Sequence, residues 1–279
     1  MTIKRAGIAV LMLASLCGAS PPDPSGVRFE LYKGHLYVDA FVNGRGPFLF
    51  GFDTGASGMG RADSSLVAAL SLPKAGEAAN SDGIKTVTND TVSVGRLRVA
   101  DVEKTGLTLI ARDYNQGRKD HAIAGIIGRD FFADRLVTID YPHKRIRFGR
   151  GRLKAADPGV IAYSEGFVIP VCFASGCYPA KLDTGSSRSI VVPKELVAKI
   201  EAGPPRRIGE AKRTNSVATL YEMDVTEPVR IGGMTVLHQS VLYADPSDSA
   251  INVGSEFLKD YVLMIDQQHH LLQISRPKS

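Results

Sequence analysis

The sequence predicts a mainly β protein made of two similar halves, with only a few short helices. Three observations carry that prediction. The segment Phe48-Leu49-Phe50-Gly51-Phe52-Asp53-Thr54-Gly55-Ala56-Ser57 recurs further along the chain as Tyr178-Pro179-Ala180-Lys181-Leu182-Asp183-Thr184-Gly185-Ser186-Ser187. A second landmark, Gly125-Ile126-Ile127-Gly128 followed by Val137-Thr138-Ile139-Asp140, recurs as Ile251-Asn252-Val253-Gly254 and Leu263-Met264-Ile265-Asp266. Two landmarks in the same order, at nearly the same spacing within each copy, indicate a duplicated unit. Finally, short apolar runs are punctuated by glycine-containing pairs that suit tight hairpins.

Along the chain, the segment 1–20 reads as a signal peptide. Lys4 and Arg5 precede an apolar run over 6–16, too short to span a bilayer, and Cys17, Gly18, Ala19 and Ser20 supply small residues for cleavage after Ala19. The expected location is therefore outside the cytoplasm, periplasmic or secreted. Lipidation of Cys17 would add a membrane anchor, although Leu16 stands before it where such signals want a small residue. The first half is expected over 27–150 and the second over 159–276, joined by a Gly-, Pro- and charge-rich linker. Within the first half, strands flank Asn43-Gly44 and, in the same manner, Gly95-Arg96. In the second, strands flank Gly232-Gly233. Short helices are expected at 64–70 and 194–201, the latter with Pro193 in its first turn.

Composition excludes several classes. The formal charge is +5, and removal of Lys4 and Arg5 leaves +3, too little to argue for nucleic acid. The basic run Lys144, Arg145, Arg147, Arg150, Arg152 and Lys154 reads as a solvated strand end and linker, with a binding patch as the alternative. No Gly-x-Ser-x-Gly elbow, P-loop, dinucleotide fingerprint or His-Glu-x-x-His occurs. The scattered histidines argue for no metal, and nothing calls for a cofactor. Asp140 and Asp266 occupy matching positions and read as a repeated structural turn. Cys172 and Cys177 flank a Ser175-Gly176 turn, where a hairpin would allow a disulfide; two buried thiols are the alternative.

A single Asp-Thr-Gly is an ordinary turn sequence. Two copies in matching repeats supply paired carboxylates. At about 3 Å separation such a pair cannot doubly ionise and shares one proton. One carboxylate then activates a water while the protonated partner polarises a carbonyl, with neither metal nor covalent intermediate. The flanks suit that task. Thr54 and Thr184 offer hydroxyls to lock the two loops together, and Gly55 and Gly185 let backbone N–H groups approach the carboxylates. Ser57 and Ser186 are placed to hydrogen-bond the carboxylates from outside. Lys181, two positions before Asp183, would lower a carboxyl pKa if it faced the pair.

These motifs resemble those of the aspartic protease clan, which holds bilobal pepsin-like enzymes and smaller retropepsin-like ones. The resemblance rests on hydrophobic-Asp-Thr-Gly-Ala/Ser-Ser early in each half and hydrophobic-hydrophobic-Gly late in each, and it spans nearly all of the chain beyond the signal-like segment. It implies two closed, barrel-like β lobes of the acid protease fold, with Asp53 and Asp183 as the catalytic dyad of an endopeptidase. Ile127-Gly128 and Val253-Gly254 would brace the active-site loops. A β-hairpin flap would close over an extended polypeptide substrate; the best placed segment is 80–87, with Asp82, Gly83 and Ile84 at its tip and a counterpart near 209–220. Each half is close to retropepsin size, so the chain is similar to two such units fused, a monomer with a homodimer as the alternative. The second bracing motif departs from the first by placing polar Asn252 where Ile126 stands. A protease-like fold that grips peptides without cutting them is the competing reading.

Overall fold

The computed structural model describes residues 26–81, 85–212, 217–247 and 249–277. The expected signal peptide, Cys17, and the flap-tip residues Asp82, Gly83 and Ile84 lie outside them. No helix among the described residues is long and apolar enough to cross a membrane.

The protein is mainly β, with curled sheets and a few short helices. An eight-stranded sheet is drawn wholly from the first half and a nine-stranded sheet wholly from the second. The third sheet has six strands and takes three from each half. At its centre Leu136–Asp140 runs antiparallel to Val262–Asp266, and Thr138 lies opposite Met264, its own counterpart in the repeat. Equivalent strands thus meet about a local two-fold. Buried apolar side chains form a contiguous cluster that runs from one half into the other.

Local sequence explains much of this. Asn43 and Gly44 both adopt positive φ, as a two-residue hairpin of right-handed twist requires, and join His35–Val42 to Arg45–Phe52. The helix Ser64–Leu70 starts where the Asp63 carboxylate accepts from the Ser65 N–H. Gly232 and Gly233 turn the chain between Val229–Ile231 and Met234–Val236. Cys172 and Cys177 sit opposite each other on adjacent strands and form a disulfide. Asp140 and Asp266 each accept from the backbone N–H and pair with the ring Nδ1 of the histidine three positions on, His143 and His269. Both copies therefore close the same turn.

Two expectations need correction. Gly95-Arg96 is no turn: Thr86–Val99 runs through it as one 14-residue strand, and the chain reverses at Ala100, which takes φ 51°. Gly95 instead makes room for the neighbouring hairpin. A Cβ there would lie 3.2 Å from Asn43 Oδ1, which accepts from the Arg96 N–H at 2.9 Å. The second correction concerns the segment after Pro193. It forms a 3-10 helix over Lys194–Lys199, shorter than expected, with Pro193 as its cap rather than inside its first turn.

Two antiparallel hairpins stand at edges of the two larger sheets. Lys74–Ser81 pairs with Thr86–Val99, and Arg206–Lys212 pairs with Val217–Asp224. Their positions match the segments proposed as flap and counterpart, although the tips lie outside the described residues.

Phe52, immediately before Asp53, stacks on Phe132 with ring centroids 4.8 Å apart, and both are fully buried. Phe132→Ala should therefore cost about 3–5 kcal/mol of stability, measured by urea unfolding. A loss below about 1 kcal/mol would show that this stack does not anchor the strand carrying Asp53.

Candidate active site

Each Asp-Thr-Gly loop hangs from the end of a strand that lies parallel to its bracing strand. Arg45–Phe52 pairs with Gly125–Ile127, and Gly176–Asp183 pairs with Ile251–Gly254. The brace closes each loop by backbone bonds in matching places. Arg129 N donates to Ala56 O at 2.9 Å and Ser255 N to Ser186 O at 2.8 Å. Gly128 N donates to Met59 O at 3.1 Å and Gly254 N to Ser189 O at 2.8 Å. A Cβ on Gly128 or Gly254 would overlap the loop carbonyls it packs against. The bracing glycines are therefore fixed by close approach, since neither has a positive φ.

The two loops are locked by their threonines, both fully buried. Thr54 N donates to Thr184 Oγ1 and Thr184 N to Thr54 Oγ1, each at 3.0 Å. Each hydroxyl in turn donates across to the other half: Thr54 Oγ1 to Leu182 O at 3.2 Å and Thr184 Oγ1 to Phe52 O at 3.0 Å. Four crossed bonds thus set one loop against the other.

This lock sets Asp53 and Asp183 against each other, close enough for the charge of one to raise the pKa of the other. Gly55 packs on the Asp183 carboxylate and Gly185 on that of Asp53, so closely that a Cβ on either would overlap the opposite carboxyl. Asp53 Oδ1 accepts from Gly55 N at 2.7 Å and Ala56 N at 3.1 Å. Asp183 Oδ1 accepts from Gly185 N at 3.0 Å, and Oδ2 from Asn252 Nδ2 at 2.9 Å. Ser57 and Ser186 do not reach the carboxylates. Ser186 Oγ accepts from Arg188 N at 3.4 Å, and Ala56 N and the Asn252 amide supply the outer bonds instead.

Burial, then the charge of Asp183 and their hydrogen bond, push the Asp53 carboxyl up to about 7. Lys181 opposes this. Its ammonium crosses the site to donate to Gly55 O at 2.9 Å, and its charge draws the Asp53 pKa back down. Lys181 therefore does face the pair.

Asp53 opens onto a cleft of about 420 Å³ that His35, Tyr37, Arg112, Tyr114, Arg118 and, from the second loop, Thr184 and Gly185 help to line. None of those first-half side chains carries a motif in the sequence. His35 comes from the first half yet lies against the Gly185 backbone of the second, and burial holds its pKa below the usual value. Only the cross-half contact marks it as part of the site, and one sequence has no signal for that. No cluster of three or more His, Cys, Asp or Glu side chains among the described residues could hold a metal.

Two outcomes test this geometry. Thr184→Val removes a buried acceptor and donor at once, and should cost about 2–3 kcal/mol in denaturant unfolding. The second is a pH dependence. Folding raises the Asp53 pKa, so its proton stabilises the fold at acid pH, fully below the unfolded carboxyl pKa, and that contribution is lost as pH rises through about 7. Asp53→Asn abolishes this loss. Relative to wild type, the variant should gain on the order of 2 kcal/mol between acid and mildly alkaline pH. Parallel melting curves would disprove a shared proton.

Comparison with known proteins adds two findings. No curated protein matches the chain. A family model described as aspartyl protease matches residues 38–131, about a third of the chain and including the first Asp-Thr-Gly, which supports an aspartic protease family for this protein.

Proposed function

We propose that the protein is an exported aspartic endopeptidase, in which two lobes of one chain contribute Asp53 and Asp183 to a single catalytic dyad. The observation that carries this reading is the close approach of the two carboxylates, each held by the N–H of its own loop glycine and packed on the opposite glycine. The aspartyl protease match over 38–131 supports the same class of chemistry from an independent direction.

The mechanism follows from one proton on two acids. The ionised carboxylate takes a proton from a bound water as its oxygen attacks the peptide carbonyl carbon. The protonated carboxyl hydrogen-bonds the carbonyl oxygen as negative charge develops there. Proton return to the leaving nitrogen breaks the C–N bond and restores the pair. Its raised pKa keeps the Asp53 carboxyl protonated up to near-neutral pH. The cleft admits an extended chain, and Lys74–Ser81 and Arg206–Lys212, each the outer strand of a hairpin at a sheet end, offer edges for its backbone. The signal-like segment 1–20 motivates export, with Cys17 as the point where a lipid anchor would attach.

The decisive assay is cleavage of denatured casein from acid to neutral pH by wild type, Asp53→Asn and Asp183→Asn. A loss of about 100-fold or more in each variant is expected. Unchanged cleavage in either would sink the shared dyad. A folded wild type that binds unstructured peptides and cuts none would favour a non-catalytic peptide-binding module.

A further inference from the structure

The two halves of the site are not equivalent, and the difference is concentrated at one pair of positions. In the first half Gly51 lies beside Ile126 in the parallel ladder; in the second the matching neighbours are Lys181 and Asn252. Ile126 lines the cleft beside Asp53 and offers it no polar atom. Asn252 instead donates its amide N–H to Asp183 Oδ2 at 2.9 Å. Its own amide oxygen is buried with no hydrogen-bond partner among the described residues. An unpaired buried acceptor is unfavourable, so the amide is held in this orientation by what its nitrogen does.

The consequence concerns where the shared proton sits. Both oxygens of Asp183 face N–H donors, Oδ1 from Gly185 and Oδ2 from Asn252. A proton on either oxygen would weaken the N–H bond that oxygen accepts, so both donors favour the ionised form. On Asp53 both donors converge on Oδ1, leaving Oδ2 without an N–H donor among the described residues. We infer that Asn252 is a positioning residue that holds Asp183 as the ionised member of the pair and places the shared proton on Oδ2 of Asp53. Resting on the peptidase reading above, this makes Asp183 the group that activates water and Asp53 the one that polarises the carbonyl.

The other ionisable groups around the pair do not supply this ordering. Lys181 acts on Asp53 and opposes its protonation. Tyr114 lies toward Asp53, with Arg61 and Arg112 near it, and burial raises its pKa. On the Asp183 side, burial raises the Tyr141 pKa and lowers that of His35, which Arg118 and Arg188 lower further and the Asp183 charge raises.

The test compares wild type with Asn252→Leu, which keeps the side-chain shape and removes the donor, and with the exchange variant Ile126→Asn/Asn252→Leu. Aspartate labelled with 13C at the carboxyl carbon is titrated from about pH 3 to about pH 9, with resonances assigned from Asp53→Asn and Asp183→Asn. In wild type the upper step should fall on the Asp53 carbon. In Asn252→Leu it should spread onto Asp183, the acid limb of kcat/KM should rise by about one pH unit, and kcat should fall about tenfold with KM held. The exchange variant should move the upper step to Asp183. Should Asn252→Leu not fold, Ile126→Asn alone should narrow the gap between the two carbons. An upper step on Asp183 in wild type, or a folded Asn252→Leu that titrates as wild type does, would overturn the assignment. The titration needs no cleavage. A wild type that cuts nothing would therefore defeat the peptidase reading while leaving this result to stand on its own.

Discussion

Thr54 and Thr184 make four hydrogen bonds where the two halves of the chain meet, two with each other and two to the opposite backbone, and the site depends on them. Each threonine contributes its amide and its hydroxyl, and each reaches the backbone of the opposite half. Both are fully buried, so none of these bonds competes with water and none can be dropped without leaving a desolvated partner. The loops are thereby fixed in mutual position before any ligand arrives. Everything the carboxylates do follows from that placement: their contact, their mutual electrostatic penalty, and the close approach of Gly55 and Gly185 to the opposite acids.

The lock would be of little use on mobile loops. Each loop is tied to its bracing strand by backbone bonds in matching positions, and each brace runs into the shared six-stranded sheet, where equivalent strands meet with Thr138 opposite Met264. The stack of Phe52 on Phe132 ties the first loop to the core on its far side. Rigidity thus runs from apolar packing, through parallel strand pairs, to two acids.

Local turn chemistry made part of this legible in advance. Asn43-Gly44, Gly232-Gly233 and the helix at Ser64–Leu70 carry their conformations in their own residues. The strand through Gly95 was opaque for a physical reason. Glycine serves there to admit Asn43 of another hairpin, while the true reversal falls on Ala100, a residue with no turn signature. At the site, repetition exposed Asp53, Asp183, Thr54 and Thr184, because each must be present in both copies to do its work. Ser57 and Ser186 showed the limit of that logic. Near the aspartates in sequence and correct in chemistry, they make no hydrogen bond to them, and Ala56 N and Asn252 make the bonds. His35 enters the cleft where it meets the Gly185 backbone of the other half, which leaves no trace in local pattern.

The covalent link between the halves, across residues 150–158, has a consequence for how the site behaves on dilution. When two separate chains must meet to assemble a pair of acids, the fraction assembled falls with concentration. Tethering turns that encounter into an intramolecular event with a fixed effective concentration, which the linker sets and the solution does not. A protein released into a large external volume would keep its site assembled at any dilution. The tether also lets the two sides drift apart in sequence, so that an amide can stand beside one acid and an isoleucine beside the other, an arrangement closed to any pair of identical subunits.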